Sequence, residues 1–262
     1  MARFAAIGLD HRHIYDLVAG LHDAGQECAG YCPETSDERV LAGFRKHFPQ
    51  IPSIPRERLL DDHSIAFVVT AARPCDRAAI AVAAMRRGKD VMVDKPAVTS
   101  FDQLDDVQRV VEETKRIWSV CFSERFLTPS TLKALELVRG GAIGRIVQTI
   151  GLGPHRLNRD LRPADGLPTW GDGRLFLLGT EGTIELRKYV DIAGRDGTDH
   201  LFLVDKKATR HIDCAALPVS YFRDFAADVA HRTETAMPQR HAFTVCRLAL
   251  EAQTRATRFT PS

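Results

Sequence analysis

Short apolar runs alternate with amphipathic segments through the first 122 residues of the chain. Runs that are almost continuously apolar are typical of parallel strands buried on both faces, and they occur at 3–7, 28–31, 65–70, 91–93 and 118–122. Helical spacing of apolar residues predicts helices at 14–23, 76–87 and 101–115, and a further helix is predicted to begin after a Ser or Thr cap at 35–38. This alternation predicts a doubly wound parallel sheet.

The pattern changes from Ile146 onward. Apolar-rich or alternating runs such as RLFLLG, TIELRKYV and HLFLVD are joined by Gly, Asp and Thr, and GTEGT at 179–183 has the composition of a tight turn. Helices are predicted at 219–231 and 239–257. The chain is therefore predicted to form a first domain at 1–124 and a reduced α+β domain at 125–262, which is built on a small mixed or antiparallel sheet.

Composition narrows the possible functions. A net charge of +2, with basic residues scattered along the chain, gives no electrostatic argument for a nucleic-acid partner. Six cysteines without a paired framework favour reduced thiols, and no apolar segment is long enough to span a bilayer. We expect a cytoplasmic protein that has no nucleic-acid or membrane partner.

The tripeptide Asp94-Lys95-Pro96 follows the fourth predicted strand. Open α/β sheets place their chemistry at the carboxyl ends of strands, where a lysine ammonium can be directed at a substrate oxygen. A surface lysine before a turn-forming proline is the commoner meaning of such a pair. Its position after a buried strand favours a functional role for Lys95.

The loop after the first strand departs from the G-x-G-x-x-G pattern of dinucleotide sites. Its sequence from Gly8 is GLDHRH, so that Asp10 and His13 replace the second and third glycines. Asp10 would bring negative charge near a phosphate unless it turned away as a helix cap, whereas Arg12 and the histidines could offset that charge. Cys32 stands near the position where an acid usually binds the ribose. The loop alone would not establish a nucleotide site.

His11 and His13 also raise the question of a metal. Two imidazoles separated by one residue can share an ion only if further ligands lie nearby. Loop histidines are more often solvated or bonded to the backbone. We predict no metal site.

Several segments of the chain resemble the glucose-fructose oxidoreductase / inositol dehydrogenase / MocA (Gfo/Idh/MocA) family. They include RFAAIG, IAFVVTAARPCDRAAIAVAAMRRGKDVMVDKPAVTSFDQL, WSVCFSERF and LVRGGAIGRIV. The resemblance implies a Rossmann-like first domain that binds NAD or NADP. It places Lys95 beside the nicotinamide, with Asp94 as a shorter substitute for the glutamate of the family's Glu-Lys-Pro. The cofactor-binding residues that it implies are Gly8, Leu9, Asp10, His11, Arg12, His13, Cys32, Thr70, Ala71, Asp94, Lys95 and Pro96.

The resemblance is interrupted in the second domain. Relatives carry a glycine-rich segment there with an Asp and, four residues later, a His that transfers the proton. Around 163–165 this chain lacks such a block, so that His155 becomes the candidate proton-transfer and substrate residue, and Arg125 a second substrate candidate. The Asp196–His200 spacing is interpreted as a solvated turn, and His200 as a surface residue.

The resemblance implies hydride transfer between NAD(P) and a secondary alcohol or ketone, often of a sugar or polyol. The altered loop and the missing block keep two alternatives open: a catalytically silent relative that binds a nucleotide or sugar, and a shortened form of an active enzyme. An uncovered second sheet would favour a homo-oligomer formed through that sheet.

Overall fold

The computed structural model of the protein describes residues 1–152, 173–189, 191 and 193–257. These residues form two five-stranded sheets and divide into two compact units, with 1–122 and 220–262 in the first and 123–219 in the second. The predicted boundary at 124 lies close to the end of the first segment. The prediction differs from this division in one respect. It assigned the C-terminal helices to the second domain, whereas they belong to the first unit.

The first sheet is parallel throughout and has the order β2-β1-β3-β4-β5. Its strands are β1 (Arg3–Ala6), β2 (Glu27–Tyr31), β3 (Ile65–Thr70), β4 (Asp90–Asp94) and β5 (Trp118–Cys121). Nearly every strand residue is buried, which explains the continuous apolar runs. The predicted doubly wound sheet is confirmed.

Helices connect these strands. They are α1 (His13–Asp23), α2 (Glu38–His47), α3 (Arg56–Asp61), α4 (Arg77–Arg86) and α5 (Phe101–Thr114). The cap of α2 is Asp37, whose carboxylate accepts from the N–H groups of Arg39 and Val40, rather than the Ser or Thr that we predicted. The short helix α3 was missed because its six residues are too few to show helical periodicity.

The C-terminal helices α8 (Tyr221–His231) and α9 (Gln239–Arg255) complete the first unit. Phe225 of α8 packs edge-on against Phe67 of β3, with ring centroids 5.3 Å apart, and Phe243 of α9 stacks on Trp118 of β5 at 5.1 Å. The guanidinium of Arg232 pairs with the Asp90 carboxylate at the start of β4, with 3.1 Å between Nη2 and Oδ1. These contacts explain why the end of the chain belongs to the first sheet.

The second unit contains α6 (Ser123–Phe126), α7 (Pro129–Arg139) and an antiparallel sheet in the order β10-β9-β8-β7-β6. The strands are β6 (Ile146–Leu152), β7 (Arg174–Gly179), β8 (Gly182–Arg187), β9 (His200–Asp205) and β10 (Thr209–Asp213). Ala134 and Ile143 pack with the inward leucines of β7 to β9 in its core. The predicted antiparallel sheet is confirmed, whereas α7 was not predicted.

One residue of this sheet corrects the sequence analysis, and one predicted turn is confirmed. His200 was predicted at the surface, but it is buried at the start of β9, where its Nδ1 lies 3.0 Å from Nε2 of His211. The predicted turn at 179–183 does join β7 to β8, and a side chain at Gly179 would collide with the backbone oxygen of Ile143. The postulated gap at 163–165 lies outside the described residues.

Candidate active site

The carboxyl ends of the first sheet bring together loops from β1, β3 and β4. Gly8 follows β1 with φ +78°, and a Cβ there would lie only 2.5 Å from the Cβ of Ala72. The Gly8 carbonyl accepts from the N–H of Ala71 at 3.2 Å. Glycine is needed here both for its left-handed backbone and for the close approach of the two loops.

Asp10 is directed toward the loops after β2 and β3. Its carboxylate accepts from the hydroxyls of Thr35 (3.0 Å) and Ser36 (2.7 Å) and from the N–H of Arg73 (3.2 Å). Burial opposes its ionisation, but these hydrogen bonds outweigh burial and lower the pKa of Asp10 below its ordinary value. Asp10 therefore ties three loops together and does not cap α1, which begins without a side-chain cap.

A cavity of about 420 Å³ opens beside this loop. It lies where the strand order reverses between β1 and β3, which is the position where open α/β sheets bind ligands. Its lining includes Gly8, Asp10, Cys32, Glu34, Ser36, Arg56 and Arg73. Burial raises the pKa of the Cys32 thiol, so Cys32 contributes a neutral wall instead of the ribose-binding acid.

Arg77 and Asp94 form a buried ion pair at the end of β4. Arg77 Nη2 lies 3.0 Å from Oδ2 of Asp94, and the two residues are 2% and 3% exposed. Burial lowers the pKa of Arg77, but its ordinary value is so high that the guanidinium stays charged at neutral pH. Burial alone would raise the pKa of Asp94; the hydrogen bond from His13 and the charge of Arg77 lower it instead.

Arg77 also fixes the backbone on both sides of Lys95. Its Nη1 donates to the carbonyl oxygens of Asp94 and Pro96, each at 2.9 Å, and its Nε donates to that of Ala72 at 2.7 Å. The Lys95–Pro96 peptide bond is cis. Lys95 itself is half-buried, and its ammonium forms no ion pair within the described part of the chain. The positive charge of Lys95 thus stands at the strand end on a backbone segment that Arg77 holds from both sides.

His11 and His13 flank the Asp94 carboxylate. His13 Nδ1 lies 3.0 Å from Oδ1 of Asp94, whereas His11 Nδ1 lies 3.9 Å from Oδ2 and accepts from the His13 N–H at 3.3 Å. Burial, together with the neighbouring His13, lowers the pKa of His11 to about 4, so that His11 is neutral at physiological pH. Asp94 supplies the third donor atom that a metal would need, and the prediction of no metal stays a prediction.

The second unit contains the remaining substrate candidate. Arg125 lines a cavity of about 400 Å³ together with Thr128, Ser130, Lys188 and Tyr189. Its guanidinium lies over the Phe126 ring at 5.2 Å, and its buried Nε has no hydrogen-bond partner among the described residues. Burial lowers the pKa of Arg125. His155 lies outside the described residues.

The structure thus gathers most of the predicted site at one sheet edge. Those residues are Gly8 to His13, Cys32, Thr70, Ala71 and Asp94 to Pro96. Sequence reasoning missed Arg77, although a carboxylate at the end of a buried strand implies a buried cation near it. This sheet, with its glycine turn and strand-end cavity, defines a dinucleotide-binding α/β protein.

Comparison with known proteins gives the family. Residues 11–122 match the Gfo/Idh/MocA oxidoreductase family, which is described as having an NAD-binding Rossmann fold. A proposed oxidoreductase from Erwinia carotovora atroseptica SCRI1043 is 35% identical, and the alignment covers 99% of this chain and 100% of that one with a TM-score of 0.92. The chain belongs to the Gfo/Idh/MocA family, and its cofactor is NAD or NADP.

Two further proteins are similar to this chain. Dehydrogenase aclE of Aspergillus oryzae is 31% identical over 122 residues, which are 44% of this chain and 32% of that protein, so the chain spans about a third of the length of this curated relative. UDP-N-acetylglucosamine 3-dehydrogenase from Acidithiobacillus ferrooxidans is 13% identical with a TM-score of 0.70, and the alignment covers 96% of each chain. That second likeness is one of fold alone. Within the described residues, no helix has the length and apolar character needed to cross a membrane.

Proposed function

We propose that the chain catalyses hydride transfer between NAD(P) and a secondary alcohol or ketone of a sugar or polyol. The observation that supports this most strongly is the Lys95 ammonium, which stands at the strand end without an ion-pair partner in the described residues while Arg77 anchors the backbone around it. The sugar class is supported by the similar fold of a UDP-N-acetylglucosamine 3-dehydrogenase.

The residues at the sheet edge fit the cofactor. The left-handed Gly8 lets the loops after β1 and β3 pack closely, and the cavity beside them offers Arg56 and Arg73 near the ends of β2 and β3. The N-terminus of α1, with the exposed Arg12, favours phosphate. When bound, the nicotinamide of NAD(P) supplies or accepts the hydride.

The protein's own residues orient and polarise the substrate in this proposal. Lys95 donates a hydrogen bond to the reacting oxygen and stabilises the negative charge that develops on it. Arg125, which lines the cavity of the second unit, is proposed to bind substrate. His155 is proposed to bind substrate and to transfer the proton, as the family resemblance implies. Asp94 and Pro96 hold Lys95 in place.

A catalytically silent relative is the second candidate. The observation that favours it is Asp10, which stands at the position of the second glycine of the motif and brings a carboxylate to the lining of the cavity. Such a protein would bind a nucleotide or sugar and turn nothing over. A chain shortened from an active enzyme would also lack turnover, and an intact Asp-x-x-x-His block in the full gene would identify it.

Fluorescence titration with NADH and NADPH tests the cofactor half of the proposal. The parent chain should bind at least one of them, and Arg12→Ala should weaken binding by about tenfold, because an exposed guanidinium near the helix terminus is removed. Arg86→Ala is the matched control, since Arg86 is exposed at the C-terminal end of α4, and Arg77 at the other end is the one that lies at the site. Unchanged affinity in Arg12→Ala would contradict the phosphate role, and binding without turnover of any polyol or sugar would favour the silent relative.

We also propose that the chain forms a homo-oligomer through its second sheet. Every residue of the edge strand β6 is exposed, including Ile146, Val147, Ile150 and Leu152. An exposed apolar edge is a template for pairing with another chain. Light scattering after size exclusion should give a multiple of the 29.1 kDa chain mass, and Val147→Lys should reduce it. A monomeric parent would contradict the assembly.

A further inference from the structure

His13 and Asp94 form an imidazole–carboxylate pair next to Lys95. The carboxylate of Asp94 can only accept in its ionised state, so the 3.0 Å contact to Oδ1 places a proton on His13 Nδ1. When the ring is neutral and Nδ1 carries the proton, Nε2 is unprotonated and has a free lone pair. No hydrogen bond from the described residues reaches Nε2, and 28% of the side chain is exposed.

The carboxylate of this pair is held in place. Arg77 fixes Oδ2 of Asp94 at 3.0 Å, so Oδ1 keeps its direction toward His13. A buried carboxylate that orients an imidazole through Nδ1–H selects one tautomer and stabilises the imidazolium that forms when Nε2 takes a proton. His13 begins α1, whose position is fixed by the hydrogen bonds of Asp10 and by the glycine turn.

We propose that His13 transfers the substrate proton at this site and that Asp94 is its positioning residue. This rests on the proposed oxidoreductase function, and it gives the proton transfer proposed above for His155 to a residue of the first unit instead. In alcohol oxidation the substrate O–H bond breaks, its electron pair stays on oxygen, and the proton forms an N–H bond at His13 Nε2. In ketone reduction the same proton returns to oxygen.

The charges around His13 set the conditions for this role. The charged groups around it are Asp94 of β4, whose Oδ1 lies 3.0 Å from His13 Nδ1, Lys95, and Arg77 of α4, which pairs with Asp94. Asp16 of α1 and the buried Cys121 of β5 are further titratable groups near this end of the sheet. His11 faces His13 with ring centroids 4.2 Å apart, and it stays neutral near pH 7.

A metal on the same side chains is the competing possibility. Donor atoms of His11, His13 and Asp94 all lie within 4.8 Å of one another. However, His11 Nδ1 already accepts from the His13 N–H, and the Asp94 charge is already paired with Arg77. A cation bound at His11 Nδ1 would have to break the first bond, and a cation at Asp94 would enter the field of a guanidinium, so the contacts favour proton transfer.

The experiment compares four variants of the full chain with the parent. His13→Ala removes the proton acceptor, His13→Gln repeats the test in case alanine disturbs the helix, and Asp94→Asn removes the orienting charge. His63→Ala is the control, because His63 is exposed and lies outside the site. The readouts are kcat and KM, the pH profile, rescue by added imidazole, and the ¹⁵N shifts of the His13 ring.

We expect His13→Ala to lower kcat by at least about a hundredfold with little change in the KM for cofactor, and to lose one ionisation from the pH profile. Imidazole should restore part of the rate. The parent's ¹⁵N spectrum should show the Nδ1–H form of His13, and Asp94→Asn should shift it.

Other outcomes would overturn the assignment in distinct ways. A kcat equal to that of the parent in both His13 variants would show that His13 does not transfer the proton. A loss of cofactor affinity alone would show that His13 contacts a phosphate of the cofactor. Stoichiometric Zn²⁺ binding that needs both His11 and His13 makes the cluster a metal site. A parent that binds NAD(P) but oxidises no sugar or polyol defeats the proposed function itself, whereas an active parent with active His13 variants defeats only this inference.

Discussion

Lys95→Ala should lower kcat/KM by at least about a hundredfold while the chain still folds. The ammonium of Lys95 is a positive charge at the strand end without an ion-pair partner among the described residues, and its loss would leave the developing negative charge on the substrate oxygen unstabilised. Since the side chain is half-buried and forms no ion pair there, its removal should not change the melting temperature appreciably.

The measurement is steady-state turnover of a polyol or sugar with NAD and with NADP. Lys46→Ala serves as the control, because Lys46 is an exposed lysine on α2. Lys95→Arg keeps the charge but spreads it over a planar group, so we expect partial activity from it. Turnover in Lys95→Ala equal to that of the parent would remove Lys95 from the mechanism.

Arg77→Met should cost about 3–5 kcal/mol in the free energy of unfolding, because it leaves the buried Asp94 carboxylate without its cation. It also removes the donors to the carbonyl oxygens on both sides of Lys95. Arg77→Lys is the matched variant: it keeps the charge but cannot reach three carbonyls and a carboxylate with one ammonium, so we expect a smaller loss. Urea unfolding at neutral pH measures both.

The pH dependence of that loss gives a second test. The pKa of Asp94 is lowered in the folded protein, so Asp94 contributes stability above its unfolded pKa, and that contribution is lost as the pH falls through the folded value. Loss of Arg77 removes one of the charges that lower the pKa of Asp94, so that pKa rises in the variant. The difference in stability between the parent and Arg77→Met should therefore narrow as the pH falls from 7 toward about 4. A difference independent of pH would mean that Arg77 acts through packing and its hydrogen bonds to carbonyl oxygens, and not through its charge beside Asp94.

The elements that could be predicted from the sequence are the ones that are buried most completely. Strands β1 to β5 are buried on both faces, so their apolar runs identify them without further information. Helices α3 and α7 were missed, and α3 has only six residues. The return of α8 and α9 to the first sheet could not be predicted, because amphipathic helices show a buried face but not the surface that covers it.

The candidate site was predictable only where local sequence carries the signal. Gly8 and Lys95 follow apolar strands directly, and that position alone marks them. The partners of Asp94 are different, because Arg77 and His13 are 17 and 81 residues away along the chain. These residues come together because β1, β3 and β4 are neighbours in the sheet. The order of strands in a sheet cannot be predicted from the local sequence around any one of them.

The interrupted order of the first unit also has a consequence during translation. Residues 1–122 leave the ribosome first, yet Phe225 and Phe243, which cover Phe67 and Trp118, follow only after 123–219 have been made. The parallel sheet therefore remains partly uncovered while the antiparallel sheet is synthesised. A nascent chain in this condition exposes apolar surface to other chains and is a natural client for chaperones. Emergence of α8 and α9, rather than of the fifth strand, is the step at which the nucleotide-binding unit can close its core.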